Sequence, residues 1–99
     1  MTIDETRDGS KIQLNVHGKI DAISSNEFQL AVLKAFQKGN SLIIDFSDVA
    51  YISSAGLRAL TLGQKTAKSK GGSLVIVHVN DAVNEVFRVT GFNKILTIQ

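Results

Sequence analysis

The sequence predicts an α/β (α+β mixed) fold, in which a mixed β-sheet of about four to five strands has helices packed against it. One observation behind this class is the alternation of short, branched apolar runs with segments whose apolar residues recur at helical spacing. The other is the predicted element order, β-β-α-β-α-β-α-β, read from those patterns and their turn signals. A chain of 99 residues fits one domain, residues 1–99.

The chain is predicted to open with a hairpin and a helix. Ile12, Leu14 and Val16 alternate with polar residues, and residues 2–7 are expected to pair with that strand across an Asp-Gly turn. Ser24 and Glu27 have the spacing of a capping box and predict the helix start. One apolar stripe follows, and Gly-Asn then ends the helix. The stripe consists of Phe28, Ala31, Val32, Ala35 and Phe36.

The stretch "SLIIDF" is a continuous apolar run, predicted to be a central strand parallel to a neighbour. Asp45, near its end, needs a partner or water, whereas Asp48 is predicted to be a turn residue. A second helix is predicted from about Ser54 to Lys70, with small residues on its inner face. Gly63 is unfavourable inside a helix, so close packing is expected there.

The last third of the chain repeats the strand-helix-strand order. "SLVIVHV" predicts a buried strand, and Asn80-Asp81 predicts the cap of a third helix with Val83, Val86 and Phe87 inward. Gly91 is expected to end that helix, and "KILTI" to form the last strand.

Composition argues against several classes of protein. The formal net charge is +2 and the cations are scattered along the chain, so direct nucleic-acid binding is not expected. No apolar run is long enough to span a membrane, so no membrane insertion is expected. The polar N-terminus lacks the pattern of a secretory signal and there is no cysteine, which together predict a cytoplasmic protein.

Catalytic motifs are also missing from the sequence. Neither a G-x-x-x-x-G-K-[ST] nor a G-x-G-x-x-G phosphate loop occurs, and "SSAG" is not a G-x-S-x-G nucleophile elbow. Asp21, Asp45 and Asp48 could meet at strand ends, but each also has a turn or capping explanation. His17 and His78 lack a metal-ligand spacing. The protein is expected not to be an enzyme and to need no metal or cofactor.

Two serines, Ser53 and Ser54, stand where the second helix is predicted to begin. One of them is explained as the N-cap, because a hydroxyl there accepts from a free backbone N–H. The second hydroxyl suggests a phosphorylation site, since unpaired amides and the helix dipole tolerate a phosphate. The added charge would fall on a patch expected to include Ile20, Ala55 and Leu57, with Arg58 one turn further on.

The segments "GKIDA" and "LIIDFSDVAYISSAGLRAL" resemble the STAS family, in particular its small single-domain anti-sigma factor antagonists, or anti-anti-sigma factors. The resemblance extends over essentially the whole chain. It implies partner switching, in which the unphosphorylated protein binds and sequesters an anti-sigma factor serine kinase. Phosphorylation by that kinase releases it, and a PP2C-type phosphatase resets the protein.

The resemblance also implies site residues. It places the phosphoacceptor at Ser54, with Ser53 as the alternative because the family commonly has Asp at the position that Ser53 occupies. Asp21 and its loop match the family surface that meets the kinase. The expected partner-binding residues are Ile20, Asp21, Ser53, Ser54, Ala55, Leu57 and Arg58. A second possibility is a STAS assembly subunit of a transporter or lipid-trafficking complex that is not phosphorylated.

Overall fold

A computed structural model describes all 99 residues, and its elements follow the predicted order with one 3-10 helix added near the end. The strands are β1 (Thr2–Asp8), β2 (Lys11–Ile20), β3 (Ser41–Ile52), β4 (Ser73–Val77) and β5 (Thr97–Ile98). The helices are α1 (Ser25–Lys38), α2 (Ser54–Ser69), α3 (Asp81–Thr90) and the 3-10 helix Phe92–Lys94. None of these helices has both the length and the apolar character needed to cross a membrane.

The five strands form one mixed sheet in the order β1-β2-β3-β4-β5. β1 is antiparallel to β2, and every other neighbouring pair is parallel. This arrangement confirms the predicted fold class, the opening hairpin and the central position of β3. Because β2, β3 and β4 run in the same direction, their carboxyl ends lie at one edge of the sheet, called here the C-terminal edge.

Strand β3 is longer than the run "SLIIDF" suggested, because it continues to Ile52. The register between β2 and β3 shifts after the pair Asn15 and Asp45, and the next pair joins His17 to Asp48. This irregularity lets the strand bend without losing its partner. The prediction that Asp48 is a turn residue is therefore wrong, since it lies within the strand.

The helices pack on one face of the sheet around Phe46 of β3. Its ring centroid is 6.3 Å from that of Phe28 on α1 and 6.3 Å from that of Phe87 on α3. All three rings are buried. These contacts place α1 and α3 on the same side of β3, which makes a two-layer molecule.

Helix α2 lies unusually close to its neighbours at Gly63. A Cβ atom added there would lie 2.9 Å from Leu74 Cδ1 on β4 and 2.9 Å from Val32 Cγ1 on α1. Real Cβ atoms do not approach other carbons that closely. The predicted close packing at this glycine is confirmed.

The third helix is capped as predicted, but the final strand is shorter than predicted. The Asn80 side-chain oxygen accepts from Val83 N–H at 2.8 Å, and Gly91 ends α3 with a φ of 77°. The 3-10 helix Phe92–Lys94 then takes up the residues before the last strand. Only Thr97–Ile98 remain to pair with β4.

Candidate functional site

The predicted site residues meet at the C-terminal edge, where β2 and β3 end side by side. Ile20 is paired with Ile52 in the last register position of these two strands. One residue further, Ser53 N–H donates to the carbonyl oxygen of Ile20 at 2.8 Å. This bond joins the start of α2 to the loop that follows β2, so Asp21 and Ser54 belong to one region of the surface.

Ser53 is the N-cap of α2. Its backbone is extended, with φ −89° and ψ 172°, and its hydroxyl oxygen accepts from Gly56 N–H at 3.2 Å. Its carbonyl oxygen accepts from Leu57 N–H at 3.0 Å. Ser53 is therefore fixed by three hydrogen bonds, and its side chain serves the helix start.

Ser54 is the first residue of α2, and its side chain is exposed. Its hydroxyl makes no hydrogen bond to any other group of the chain, in contrast to the hydroxyl of Ser53. The two neighbouring serines thus differ in what their hydroxyls do. The position immediately after the cap directs the Ser54 side chain into solvent.

The amides at the helix start provide positive potential beside Ser54. The N–H groups of Ser54 and Ala55 make no hydrogen bond within the chain, because no preceding turn offers them a carbonyl. The first turn of α2 also contains no acidic residue. Unpaired amides and the helix dipole together favour a negative charge at this position.

Gly56 lets α2 begin close to the strand ends. A Cβ atom at this position would lie 2.7 Å from Ile20 Cγ2 and 2.7 Å from Ile52 Cγ1. The absence of a side chain therefore allows the first turn to rest on these two isoleucines. This contact is the structural reason for a small residue directly after "SSA" in the sequence.

Two of the expected surface residues are part of the core. Ile20 is 0% exposed and Leu57 is 5% exposed, so neither side chain lines an outer patch. Both point inward because they supply apolar contacts beneath the junction of β2 and α2. The expectation of an exposed patch that includes them is wrong for these two residues, whereas Ala55 is half-buried and Arg58 is exposed.

The loop from Asp21 to Ser24, called here the Asp21 loop, is ordered by the Asp21 carboxylate. Its Oδ1 accepts from the N–H groups of Ile23 at 3.0 Å and Ser24 at 2.9 Å. The hydrogen bond from Ser24 N–H has the largest effect and that from the Ser24 hydroxyl the next largest, and both lower the pKa of Asp21 below the usual value for an aspartate. The carboxylate is therefore an internal brace of the loop.

Ser24 does not form the predicted capping box. Its hydroxyl accepts from Asp21 N–H at 3.0 Å and donates to the Lys19 carbonyl at 2.8 Å. With these partners the side chain makes no capping bond to α1, and its backbone is already in the helical region. The spacing to Glu27 was correct for a capping box, but the Asp21 loop offers Ser24 nearer partners.

Sequence reasoning missed two apolar side chains at this edge. Ile23 is 91% exposed within the Asp21 loop, and Tyr51, near the end of β3, is 49% exposed. Lys19, next to Ile20, is the register partner of Tyr51. An isoleucine inside the polar stretch "DAISSNE" was the available signal, because no strand or helix pattern there calls for a buried residue.

The two histidines are each paired with aspartates. His17 Nδ1 lies 2.8 Å from Asp48 Oδ2, and its Nε2 lies 3.0 Å from Asp4 Oδ2. The hydrogen bond to Asp48 has the largest effect and that to Asp4 the next largest, and both raise the pKa of His17 above its usual value. The cluster joins β1, β2 and β3 by their side chains.

Asp45 has the partner that its position required. Its carboxylate accepts from Ser47 N–H at 2.8 Å and lies 2.9 Å from His78 Nδ1. Partial burial opposes ionisation, but these two bonds outweigh it and lower the pKa of Asp45. His78, just after β4, has a φ of 59°, which is uncommon for a residue other than glycine.

Comparison with known proteins identifies the family. The family profile described as "Mlab, STAS domain" matches residues 3–97. The "Anti-sigma-B factor antagonist" of Bacillus subtilis is 29% identical over 98 residues, which are 99% of this chain and 90% of that protein. This chain belongs to the STAS-domain family of anti-sigma factor antagonists.

Solved structures share the STAS fold across nearly the whole chain. The crystal structure of a candidate anti-sigma factor antagonist from Thermotoga maritima has a TM-score of 0.89 at 23% identity, covering 97% of this chain and 84% of that one. The Bacillus cell fate determinant SpoIIAA in its phosphorylated form has a TM-score of 0.76 at 13% identity, covering 99% and 91%. At these identities the likeness concerns the fold.

Proposed function

We propose that this STAS protein is an anti-sigma factor antagonist controlled by phosphorylation of Ser54. In its unphosphorylated form it binds and sequesters an anti-sigma factor that is also a serine kinase. Phosphorylation at Ser54 releases that partner, and a PP2C-type phosphatase restores the binding form. The observation that carries the proposal is the exposed Ser54 hydroxyl, which is free of hydrogen bonds at the start of α2.

Ser54 is favoured over Ser53 as the acceptor because of what each hydroxyl already does. Ser53 accepts from Gly56 N–H, and using it as a nucleophile would disturb the cap that starts α2. Replacing a serine cap by alanine typically costs about 1 kcal/mol, so that bond has a measurable role. Ser54 has no such bond to lose, and a kinase can approach it from solvent.

The transfer step needs nothing from this chain except the acceptor hydroxyl. Ser54 Oγ attacks the γ-phosphorus of ATP held by the kinase, the bond to the β-phosphate oxygen breaks, and ADP leaves. The hydroxyl proton passes to a base of the kinase or to water. In the reverse process the phosphatase transfers the phosphoryl group to water, which returns serine and inorganic phosphate.

The phosphate on Ser54 would be stabilised by the start of α2 but would oppose binding of the partner. A phosphate carries about −1.5 to −2 charges at neutral pH, and the free amides of Ser54 and Ala55 with the helix dipole favour that charge. Arg58, one turn along the exposed side of α2, is placed to screen it. The same charge would also oppose a desolvated contact at this edge, where Tyr51, near the end of β3, is 49% exposed.

The comparisons support this proposal over the alternative of an assembly subunit that is never phosphorylated. A curated relative is named an anti-sigma-B factor antagonist, and one protein of the same fold has been solved in a phosphorylated form. A structural subunit of a transporter or lipid-trafficking complex has no need of a free hydroxyl at a helix start. Its partner in a pull-down would be a transporter component in place of a kinase.

Mapping of the modified residue tests the proposal. The protein is incubated with its cognate anti-sigma factor kinase and ATP, and the phosphate is located by tandem mass spectrometry. We expect one phosphate on Ser54 in the wild type and none in Ser54→Ala. Ser53→Asp is the matched control, because aspartate also caps helices well and leaves Ser54 in place. Phosphate on Ser53, or no phosphate at all, would contradict the proposal.

A further inference from the structure

A groove lies between α1 and the edge strand β1, on the helix-covered face of the sheet. Its volume is 540 Å³, and its apolar lining includes Ile3 of β1, Leu14 of β2, and Leu30 and Ala31 of α1. α1 packs mainly over the neighbouring strands β2 and β3, and it contacts β1 at its C-terminal end, where Lys38 pairs with Glu5. The groove thus lies where the helical layer of the molecule ends beside β1, the outermost strand of the sheet.

The groove opens towards the C-terminal edge at Ile23, which is part of its lining. Ile23 is 91% exposed and Leu30 is 49% exposed, so two large apolar side chains face water here. Ile23 is also held in position, since its N–H donates to the Asp21 carboxylate at 3.0 Å. Ile23 and Leu30 therefore present exposed apolar surface beside a groove, and contiguous apolar surface of this kind is typical of interaction sites.

The charged side chains beside the groove follow a definite order along α1. Glu27 and Lys34 are exposed on α1, on either side of Leu30, and neither makes an ion pair. Lys38, further along, is already bound to Glu5 of β1 at 2.8 Å. Glu27 and Lys34 are seven residues apart, about 10.5 Å along the helix. The surface therefore presents an anion, an apolar residue and a cation in a row.

We infer that this groove is a docking site for an amphipathic helix of the anti-sigma factor, in addition to the contacts around Ser54. The inference rests on the proposed function. A helix of two or more turns can cover Ile23 and Leu30 with one apolar face, as helices do in groove recognition. A basic residue on it faces Glu27 and an acidic residue faces Lys34, which fixes its direction along α1.

The anti-sigma factor is the occupant that the geometry favours because the groove and the phosphorylation site are joined. The Asp21 loop contributes Ile23 to the groove, and it follows Ile20, whose carbonyl oxygen accepts from Ser53 N–H at 2.8 Å. A partner that covers the start of α2 and the Asp21 loop therefore also meets Ile23. A small ligand inside the groove would leave most of the protruding Ile23 side chain in water.

Affinity measurements on four proteins test the inference. Isothermal titration of the purified cognate anti-sigma factor is carried out with the wild type, Ile23→Asp, Leu30→Asp and Val89→Asp. Val89 is the matched control, since it is 64% exposed on α3 and does not line the groove. We expect Kd to rise about tenfold or more for the two groove variants and to stay within about twofold for Val89→Asp. Thermal unfolding checks that all four proteins are folded.

The outcomes separate this inference from the proposed function. If the wild type binds and Ser54→Glu releases the partner, but both groove variants bind like Val89→Asp, then the groove is not a docking site and the proposed function stands. If the wild type does not bind the anti-sigma factor, both are wrong. A complementary check is Lys34→Glu, which should weaken binding more at low than at high salt if an acidic partner residue faces Lys34.

Discussion

Two identical neighbouring side chains have different roles at the start of α2. Ser53 accepts a hydrogen bond from Gly56 N–H, whereas Ser54 is exposed and free of hydrogen bonds. The difference follows from one step along the backbone, because the cap residue is extended and turns its hydroxyl back onto the helix. The next residue is helical and faces outward. A structural role and a proposed regulatory role thus occupy adjacent positions without interfering.

At the residue scale, Gly56 is the position at the start of α2 where an added methyl group would be most disruptive. In Gly56→Ala the new Cβ would meet Ile20 Cγ2 and Ile52 Cγ1 at 2.7 Å, so the first turn of α2 must shift away. Overpacking of this kind costs about 1 to 3 kcal/mol, against which alanine regains up to about 1 kcal/mol of helix propensity. We expect a net fall in the free energy of unfolding, measured by urea denaturation.

Lys65→Ala is the control for this substitution, because Lys65 is exposed on the same helix. It should change the free energy of unfolding by no more than about 0.5 kcal/mol. A Gly56→Ala protein as stable as the wild type would show that α2 does not rest on Ile20 and Ile52 as closely as described.

At the scale of elements, His17 is the side-chain link among the first three strands. In its protonated form it donates to Asp48 on β3 at 2.8 Å and to Asp4 on β1 at 3.0 Å. The edge strand β1 otherwise pairs only with β2. A charged His17 therefore helps to hold the edge strand and the central strand in register.

This link makes stability depend on pH in a stated direction. The pKa of His17 is raised in the folded protein, so its contribution is fully present below the unfolded pKa of about 6.5 and is lost as pH rises through the folded value. We expect the urea midpoint to fall as pH is raised through the range just above about 6.5. His17→Gln should remove that part of the dependence. An unchanged pH profile in the variant would show that the pairing with Asp4 and Asp48 does not stabilise the fold.

At the scale of the whole molecule, parallel strands explain why distant segments meet at the candidate site. β2, β3 and β4 end at the same edge, so the Asp21 loop and the start of α2 become neighbours although about thirty residues separate them in sequence. The helices lie on one face of the sheet, and the other face is open. The proposed switch and the α1–β1 groove both follow from this arrangement.

Much of the fold was predictable because periodicity and turn residues act locally. The apolar stripe of α1 and the caps at Asn80 and Gly91 were read correctly, since each depends on a few adjacent residues. The length of β3 was not predictable, because Asp48 is in the strand as the register partner of His17, which is far away in sequence. Long-range partners of this kind leave no local pattern.

The candidate site was predictable in part for the same reason. The two serines at a helix start were visible as a motif, but which of the two caps α2 depends on backbone conformation. Ile20 and Leu57 looked like possible surface residues until the sheet and helix were assembled around them. Ile23, in contrast, was overlooked because an isolated apolar residue in a polar loop belongs to no recognised pattern.

The most direct test of the account is the affinity of three proteins for the cognate anti-sigma factor, namely the wild type, Ser54→Ala and Ser54→Glu. Ser54 is exposed and unbonded, so alanine should leave Kd within about twofold of the wild type. Glutamate places a charge at the same point and should raise Kd about tenfold or more. Equal affinity for all three proteins would contradict the claim that charge at the start of α2 releases the partner.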